Sequence, residues 1–500
     1  MGEKYFFWNA IPNLILVCGL IYYLYIRKNI AAILVAVFVY ISLHGGYAVF
    51  AAATADGINT MDQLHYVRSD LGVKILGSTF LLGCCLLVGV GIKNQWFLIL
   101  ESILIRWEII AAMVLYVVFM SLGAMNLPQI KNENILIILK ELIFSIVMWI
   151  AAIVFSVVIN QGRDFFNRHR AECFSILNIL VLIMITVGIY EILDGMVWAG
   201  TNYRTGYSYR ASATLFNPNV FGFWAAMMAL AVSFFYHLGL IRRSVCFVAM
   251  TLTFTCILLA SSRTGLILAI VVLFIANMIT CLYSKYDQHN ITNKAWPLIS
   301  FLTAFIFYFI SLNYITLGSL TIFDTLRVNL LRFIDFPHDL ISLLRMKLAS
   351  ISFINQFFID LNIDLMSVRL DGRELMSINE SWGGRTSLLL NSDKSLVFSD
   401  NSFLYIYTIG GFQALFCWAW IWVIALYIGY SKLKTSPTIY SAYAFAGLIF
   451  CLLSSVFLRT PQLFPLWIFN SMLIGCCLNW WASPNNVVIG TNKYYNKTAF

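Results

Sequence analysis

The sequence predicts an all-α polytopic membrane protein with about 12–14 transmembrane helices and one large outer loop that contains amphipathic helices. Of its 500 residues, 61% are hydrophobic and only 11% are charged, and the mean hydropathy is +0.83. Soluble domains are about 45–50% apolar and about 25% charged. The composition therefore excludes a soluble enzyme, a disordered chain and a disulfide-stabilised secreted domain.

Apolar runs of about 20 residues, the length that crosses a bilayer, recur along the chain. We predict spans at 9–26, 30–53, 71–92, 107–125, 136–159, 173–193, 218–240, 244–260, 264–283, 297–316, 402–430, 438–458 and 463–482. The chain is thereby divided into spans 1–10 within 1–316, a long loop at 317–401, and spans 11–13 with a cytoplasmic tail within 402–500.

Lysine and arginine are distributed unequally between alternate loops. The loops on one side carry fifteen of them, whereas the short segments on the other side carry seven. Because positive charge is retained on the cytoplasmic side, we expect the first set of loops inside and the amino terminus outside.

The loop at 317–401 contains ten acidic and eight basic residues. Its first half mixes leucines with arginines, which is typical of amphipathic helices on a membrane surface. We expect this loop to be periplasmic. The alternative to amphipathic helices on the membrane surface is an ordinary solvated loop.

Arg263 lies in the turn Ser261–Gly265, between two short apolar runs. A guanidinium at a helix junction within a membrane is costly, so it is expected to face a cavity or an anion. Its planar fork fits two phosphate oxygens at once. An arginine that merely extends from a helix end to the membrane surface is the alternative.

A second group of polar residues precedes the apolar run that begins near 218. Arg204, Tyr209 and Arg210 come before Asn217-Pro218-Asn219, which is typical of a helix start. The unsatisfied N–H groups of a helix amino terminus favour an anion. Tyr209 is interpreted either as a sugar-stacking ring or as part of an interfacial aromatic belt.

A third group leads from the long loop into the next span. Arg385 and Asp400 are its chemical candidates, although Asp400-Asn401-Ser402 also fits an ordinary helix cap. Arg459, in a later outer turn, is a further candidate.

Metal and cofactor sites are not indicated. Nucleotide-binding, zinc-protease, serine-hydrolase and EF-hand motifs are absent from the sequence. The six histidines are scattered, and the eleven cysteines lie in apolar segments without zinc-binding spacing. We therefore expect no metal and no cofactor, and we attribute the net charge of +9 to cytoplasmic loops rather than to nucleic-acid binding.

Together the three groups resemble the bacterial O-antigen polymerase and ligase superfamily. The resemblance rests on Arg210 before Asn217-Pro218-Asn219 and on the turn Ser262-Arg263-Thr264. It also rests on a large loop that contains Gly384-Arg385 and ends in Asp400-Asn401-Ser402-Phe403-Leu404.

This resemblance covers residues 195–430 and implies a multi-pass glycosyltransferase of the bacterial inner membrane. Its substrates would be oligosaccharides and polysaccharides linked to undecaprenyl diphosphate, and a chain-length regulator in the same membrane is a further candidate partner. Arg263 and Arg210 are then the expected clamps for the lipid diphosphate, and Asp400 is the candidate base. The remaining expected substrate contacts are Arg204, Arg385, Arg459, Asn217, Asn219 and Tyr209.

The two branches of the superfamily differ at the end of the large loop. The ligase branch has a histidine there, whereas this chain has Ser399, Asp400 and Asn401. This difference favours the Wzy-type polymerase branch. A ligase that transfers glycan to lipid A–core is one alternative. A transporter or flippase is another, although the sequence lacks the two similar halves typical of many transporters.

The predicted topology places 317–401 and 431–437 on opposite sides of the membrane. Cysteines introduced at Ser367 and Ser436, in a background without native cysteines, are expected to react with an impermeant thiol reagent from opposite sides. Labelling of both positions from the same side would contradict this topology.

Overall fold

The computed structural model describes residues 2–27, 32–43, 107–126, 168–193, 210–215, 218–283, 291–314, 402–435 and 438–457, with Ala152, Leu326, Arg327, Leu330 and Ile474. Within these ranges the chain is helical almost throughout and contains no strand. The helices are α1 (Gly2–Arg27), α2 (Ala32–Leu43), α3 (Trp107–Asn126), α4 (Arg170–Leu193), α5 (Pro218–His237), α6 (Arg243–Ala260), α7 (Arg263–Tyr283), α8 (Ile291–Tyr314), α9 (Ser402–Thr435) and α10 (Ile439–Phe457), and a 3₁₀ turn covers Ala213–Leu215.

Seven helices in the described part of the chain are long and apolar enough to cross a membrane. These candidate spans are Arg170–Ile192, Pro218–His237, Arg243–Ala260, Arg263–Leu282, Asn293–Ser311, Ile409–Thr435 and Ile439–Val456. The prediction of an all-α chain is thereby confirmed within the described residues, and the seven long apolar helices are compatible with a multi-pass membrane protein. The predicted span 71–92 lies outside the described residues, as do 136–159 apart from Ala152, 463–482 apart from Ile474, and the loop 317–401 apart from three residues.

Helix α5 is the most buried of these spans and forms the centre of the bundle. It packs against α6, α7 and α10, while α4 packs against α6, and α9 packs against α3 and α10. The indole N–H of the fully buried Trp224 donates to Ser42 Oγ on α2 at 2.9 Å. The first half of α5 is therefore enclosed by other helices.

The bundle has two different ends. Helices α4 and α10 both begin beside the last turns of α5, where Phe174 lies 5.4 Å from Phe235 and Tyr440 lies 5.4 Å from Phe234 between ring centroids. Many cationic residues collect at this end, which we call the basic end. They are Arg27, Arg168, Arg170, Arg242, Arg243, Lys294, Lys432 and Lys434.

Helix α8 begins earlier than the predicted span 297–316. It starts at Ile291, so that Pro297 lies inside the helix. A proline in this position disturbs the hydrogen bonds of the preceding turn, and within a membrane the neighbouring helices satisfy the freed groups. His237 on α5 contacts the turn that precedes Pro297, because its Nε2 lies 2.7 Å from the Lys294 carbonyl oxygen.

Helix α9 is bent at Gly411, whereas the sequence predicted a continuous span over 402–430. The backbone of Gly411 has φ 67° and ψ −167°, a left-handed φ that favours glycine. Beside it, a Cβ on Gly410 would lie 2.8 Å from Met120 Sδ of α3. The two glycines therefore combine a bend in α9 with close packing on α3.

Candidate functional site

A tight turn of two residues joins α6 to α7 at the end opposite to the basic end. Ser261 ends α6 in the left-handed conformation (φ 47°, ψ 41°), and its N–H donates to the Leu258 carbonyl at 2.9 Å. Ser262 then caps α7, because its Oγ accepts the N–H of Gly265 at 3.1 Å. This turn fixes Arg263 as the first residue of α7.

Two glycines allow the first turns of α5 and α7 to touch. A Cβ on Gly265 would lie 2.7 Å from the carbonyl carbon and oxygen of Gly222, and a Cβ on Gly222 would overlap the Ser262 side chain. Small residues at a contact between membrane helices permit such close backbone approach. The amino termini of α5 and α7 consequently lie side by side.

Arg210 forms hydrogen bonds to the end of α6 and to the start of α5. Its Nε donates to the Ala260 carbonyl at 3.2 Å, and its Nη2 donates to Asn219 Oδ1 at 2.8 Å. Ala260 is the last residue of α6, where carbonyls lack partners within the helix. Asn219 is the second residue of α5. We call the group Arg210, Asn219, Ser262 and Arg263 the arginine junction.

The segment 210–215 that carries Arg210 is fixed by bonds to further helices. The N–H of Ala211 donates to the Leu259 carbonyl at 2.8 Å. Glu191, near the end of α4, accepts the N–H of Ser212 at 2.8 Å and that of Ala213 at 2.9 Å. The hydroxyl of Thr214 donates to the Ser42 carbonyl of α2.

The structure brings three of the sequence-predicted site residues together. Arg210, Asn219 and Arg263 are partly buried and belong to the same end of the bundle. The predicted helix start at Pro218 and the predicted turn before Arg263 are both confirmed. Six predicted site residues lie outside the described residues: Arg204, Tyr209, Asn217, Arg385, Asp400 and Arg459.

Sequence reasoning did not select Glu191 or Ser212 for the site. Glu191 is 4% exposed and Ser212 is fully buried. The available signal was a carboxylate close to the end of an apolar span, which is rare unless the group is paired. The hydrogen bond between Ser212 and Glu191 joins residues that are 21 positions apart, so it is visible only in the folded chain.

The described residues offer no obvious place for a metal. Within the ranges given above, no group of three or more His, Cys, Asp or Glu is arranged to hold an ion. The expectation that the protein needs no metal stays a prediction, because Asp400 and the loop 317–401 lie outside these ranges.

Comparison of the chain with protein-family models, with curated proteins and with solved structures finds no match. The arginine junction is therefore interpreted from its own geometry and from the sequence motifs that form it.

The Gly222 contact yields a test of the fold at the junction. Gly222→Ala adds a methyl group that overlaps Ser262, and overpacking of this kind costs about 1–3 kcal/mol. We expect a lower melting temperature for the detergent-purified variant, and partial recovery in Gly222→Ala/Ser262→Gly, which removes the overlapping side chain. Gly19→Ala is the matched control, because a Cβ there meets nothing within 4 Å. Equal melting temperatures for Gly222→Ala and Gly19→Ala would contradict the close contact.

Proposed function

We propose that this chain is a polysaccharide polymerase of a bacterial inner membrane. It joins repeat units linked to undecaprenyl diphosphate at the periplasmic face, and its arginines hold the lipid diphosphate. The proposal combines the resemblance of the motifs in 195–430 with the arrangement of the arginine junction.

The observation that carries the proposal is the meeting of two arginines with two helix amino termini. Arg263 begins α7, Arg210 is bonded to Asn219 in the first turn of α5, and Gly222 and Gly265 keep these two turns in contact. Helix amino termini and guanidinium groups both favour phosphate oxygens. A diphosphate is the ligand that makes use of all four features.

The charge distribution supports an outward-facing junction. The cationic residues of the basic end would be retained in the cytoplasm according to the positive-inside rule. Arg210 and Arg263 lie at the other end of the helices, which would then face the periplasm. A lipid-linked glycan anchored in that leaflet would carry its diphosphate at the depth of the helix ends.

The proposed reaction transfers a glycan from one lipid diphosphate to another lipid-linked unit. A hydroxyl of the acceptor unit attacks the anomeric carbon of the donor glycan, a new glycosidic C–O bond forms, and the C–O bond to the diphosphate breaks. The lipid diphosphate leaves with the bonding electron pair, and its negative charge is stabilised by Arg263 and Arg210. The proton of the hydroxyl passes to a base, for which Asp400 is the candidate from the sequence.

The remaining predicted residues have supporting roles in this proposal. Arg204, Arg385 and Arg459 would add charge around the two lipid diphosphates, and Asn217, Asn219 and Tyr209 would contact the donor near the start of α5. Asn219 already has a role in the fold, because its amide oxygen accepts a hydrogen bond from Arg210 at 2.8 Å.

Deletion of the gene separates the polymerase from the ligase. Without a polymerase, single repeat units still reach lipid A–core, so the lipopolysaccharide gel should show a core-plus-one-unit band and no ladder. Without a ligase, the gel should show bare core while long polymer accumulates on the lipid carrier. Bare core with carrier-linked polymer would overturn the polymerase proposal in favour of the ligase. An unchanged ladder would overturn both.

Arg263 should be the residue least tolerant of replacement. Arg263→Ala removes a charge-assisted contact to the leaving diphosphate, a change that lowers rates by about 10²–10³ in comparable sites. Arg263→Lys should also fail, because an ammonium group lacks the bidentate fork. The measurement is polymer formed per amount of membrane-inserted protein in the complemented deletion strain.

Arg243→Ala provides the matched control for this measurement. Arg243 is the first residue of α6, as Arg263 is of α7, but it lies at the basic end. Its Cζ lies 5.6 Å from the centroid of the Trp296 ring. We expect Arg243→Ala to retain the polymer. Wild-type polymer in Arg263→Ala would count against the diphosphate clamp.

A further inference from the structure

Glu191 is a buried acid in the last turn of a candidate membrane span. Its side chain belongs to α4, which ends at Leu193, and the residue is only 4% exposed. A carboxylate at such a place is costly unless its oxygens are well bonded, and ionisable residues within spans often have a functional role. Its neighbours should therefore indicate what it does.

The carboxylate of Glu191 is held by three donors from two consecutive residues. Oε2 accepts the N–H of Ser212 at 2.8 Å and the N–H of Ala213 at 2.9 Å, and Oε1 accepts the hydroxyl of Ser212 at 3.0 Å. Ala213 has φ 47°, which is unfavourable for a residue with a side chain. Successive N–H groups that converge in this way form an anion-binding concavity, and the carboxylate occupies it.

The same short segment carries Arg210. Arg210 and Ala211 are bonded to the last two carbonyls of α6, at Ala260 and Leu259. The next two residues are bonded to Glu191 on α4. Bonds to α6 alone would allow the segment to pivot about the end of that helix, whereas the additional bonds to α4 fix it on a second side.

From this geometry we infer that Glu191 is the positioning residue for Arg210. Its carboxylate fixes the backbone at Ser212 and Ala213, and this sets the direction in which the Arg210 guanidinium leaves the chain toward Asn219. The inference rests on the proposed function for the role of Arg210 itself. Glu191 acts through the backbone and needs no contact with the substrate.

The donor pattern around Glu191 makes glutamine a nearly matched replacement. An amide oxygen in place of Oε2 can accept both backbone N–H groups. The amide NH₂ in place of Oε1 can donate to Ser212 Oγ, whose hydroxyl is free to rotate. Alanine instead leaves the backbone N–H groups of Ser212 and Ala213 without their Glu191 acceptor, so the segment loses its bonds to α4.

The test compares Glu191→Ala, Glu191→Gln and Arg210→Ala in the complemented deletion strain, with polymer measured per amount of folded protein in the membrane. We expect Glu191→Ala to lose about 10²-fold, since small displacements of a catalytic group produce losses of this size. Glu191→Gln should retain most of the activity. Glu172→Ala is the control at the other end of α4, where Glu172 accepts hydrogen bonds from Arg27 and Tyr23, and it should retain the polymer.

A double variant separates positioning from general stability. If Glu191 acts through Arg210, Glu191→Ala/Arg210→Ala should be no less active than Arg210→Ala alone, because the interaction is already lost. Full activity in Glu191→Ala, equal loss in Glu191→Gln, or additive losses in the double variant would each overturn the inference.

A second readout does not depend on the proposed function. Ala211 is fully buried, so a cysteine introduced there is expected to be protected from an impermeant thiol reagent in a background without native cysteines. Glu191→Ala should expose this cysteine and Glu191→Gln should keep it protected. Normal polymer in Arg210→Ala would overturn the proposed role of Arg210. The labelling result would then decide by itself whether Glu191 holds the segment 210–215 in place. Protection of the cysteine in both Glu191 variants would overturn it.

Discussion

The contact between the backbones of Gly222 and Gly265 determines how the arginine junction is arranged. Apolar lipid provides no hydrophobic force between helices, so the approach of α5 and α7 depends on close packing at small residues. Any side chain at either glycine would separate the two first turns. Because these turns touch, the residues at their beginnings are brought to one place. The positions of Arg263 and Asn219 follow from this contact.

A second constraint is that backbone polar groups within a membrane protein must be bonded internally. The segment 210–215 is largely non-helical and buried, and it meets this constraint with bonds to three other helices. Arg210 takes part, because its Nε caps the final carbonyl of α6. The bonds that stabilise the fold here also orient the guanidinium, so fold and site depend on the same contacts.

Local signals in the sequence were sufficient to locate the helices, but they did not predict which residues of different helices contact one another. Hydropathy located the described spans, Pro218 marked one helix start correctly, and the turn before Arg263 was predicted between two apolar runs. The bend at Gly411 and the contact between Gly222 and Gly265 were not predicted, because they depend on a neighbouring helix that is distant in sequence. Glu191 was not selected from the sequence, because its hydrogen-bond partners at Ser212 and Ala213 are set by the packing of α4.

Arg263 occupies a place that helix electrostatics alone does not favour. The amino terminus of α7 carries partial positive charge, which disfavours a cation by about 0.3–1 kcal/mol, and the amino terminus of α5 lies beside it. Arg210 differs, because its bond to Ala260 places it at the carboxyl end of α6, where a cation is favoured. The positive-inside rule also favours arginine at the basic end rather than here. An anionic group bound between Arg210 and Arg263 would reverse this balance, because it would be attracted by both guanidinium groups and by both helix amino termini. In the proposed function, a diphosphate bound at this place would supply that attraction at the start of α7.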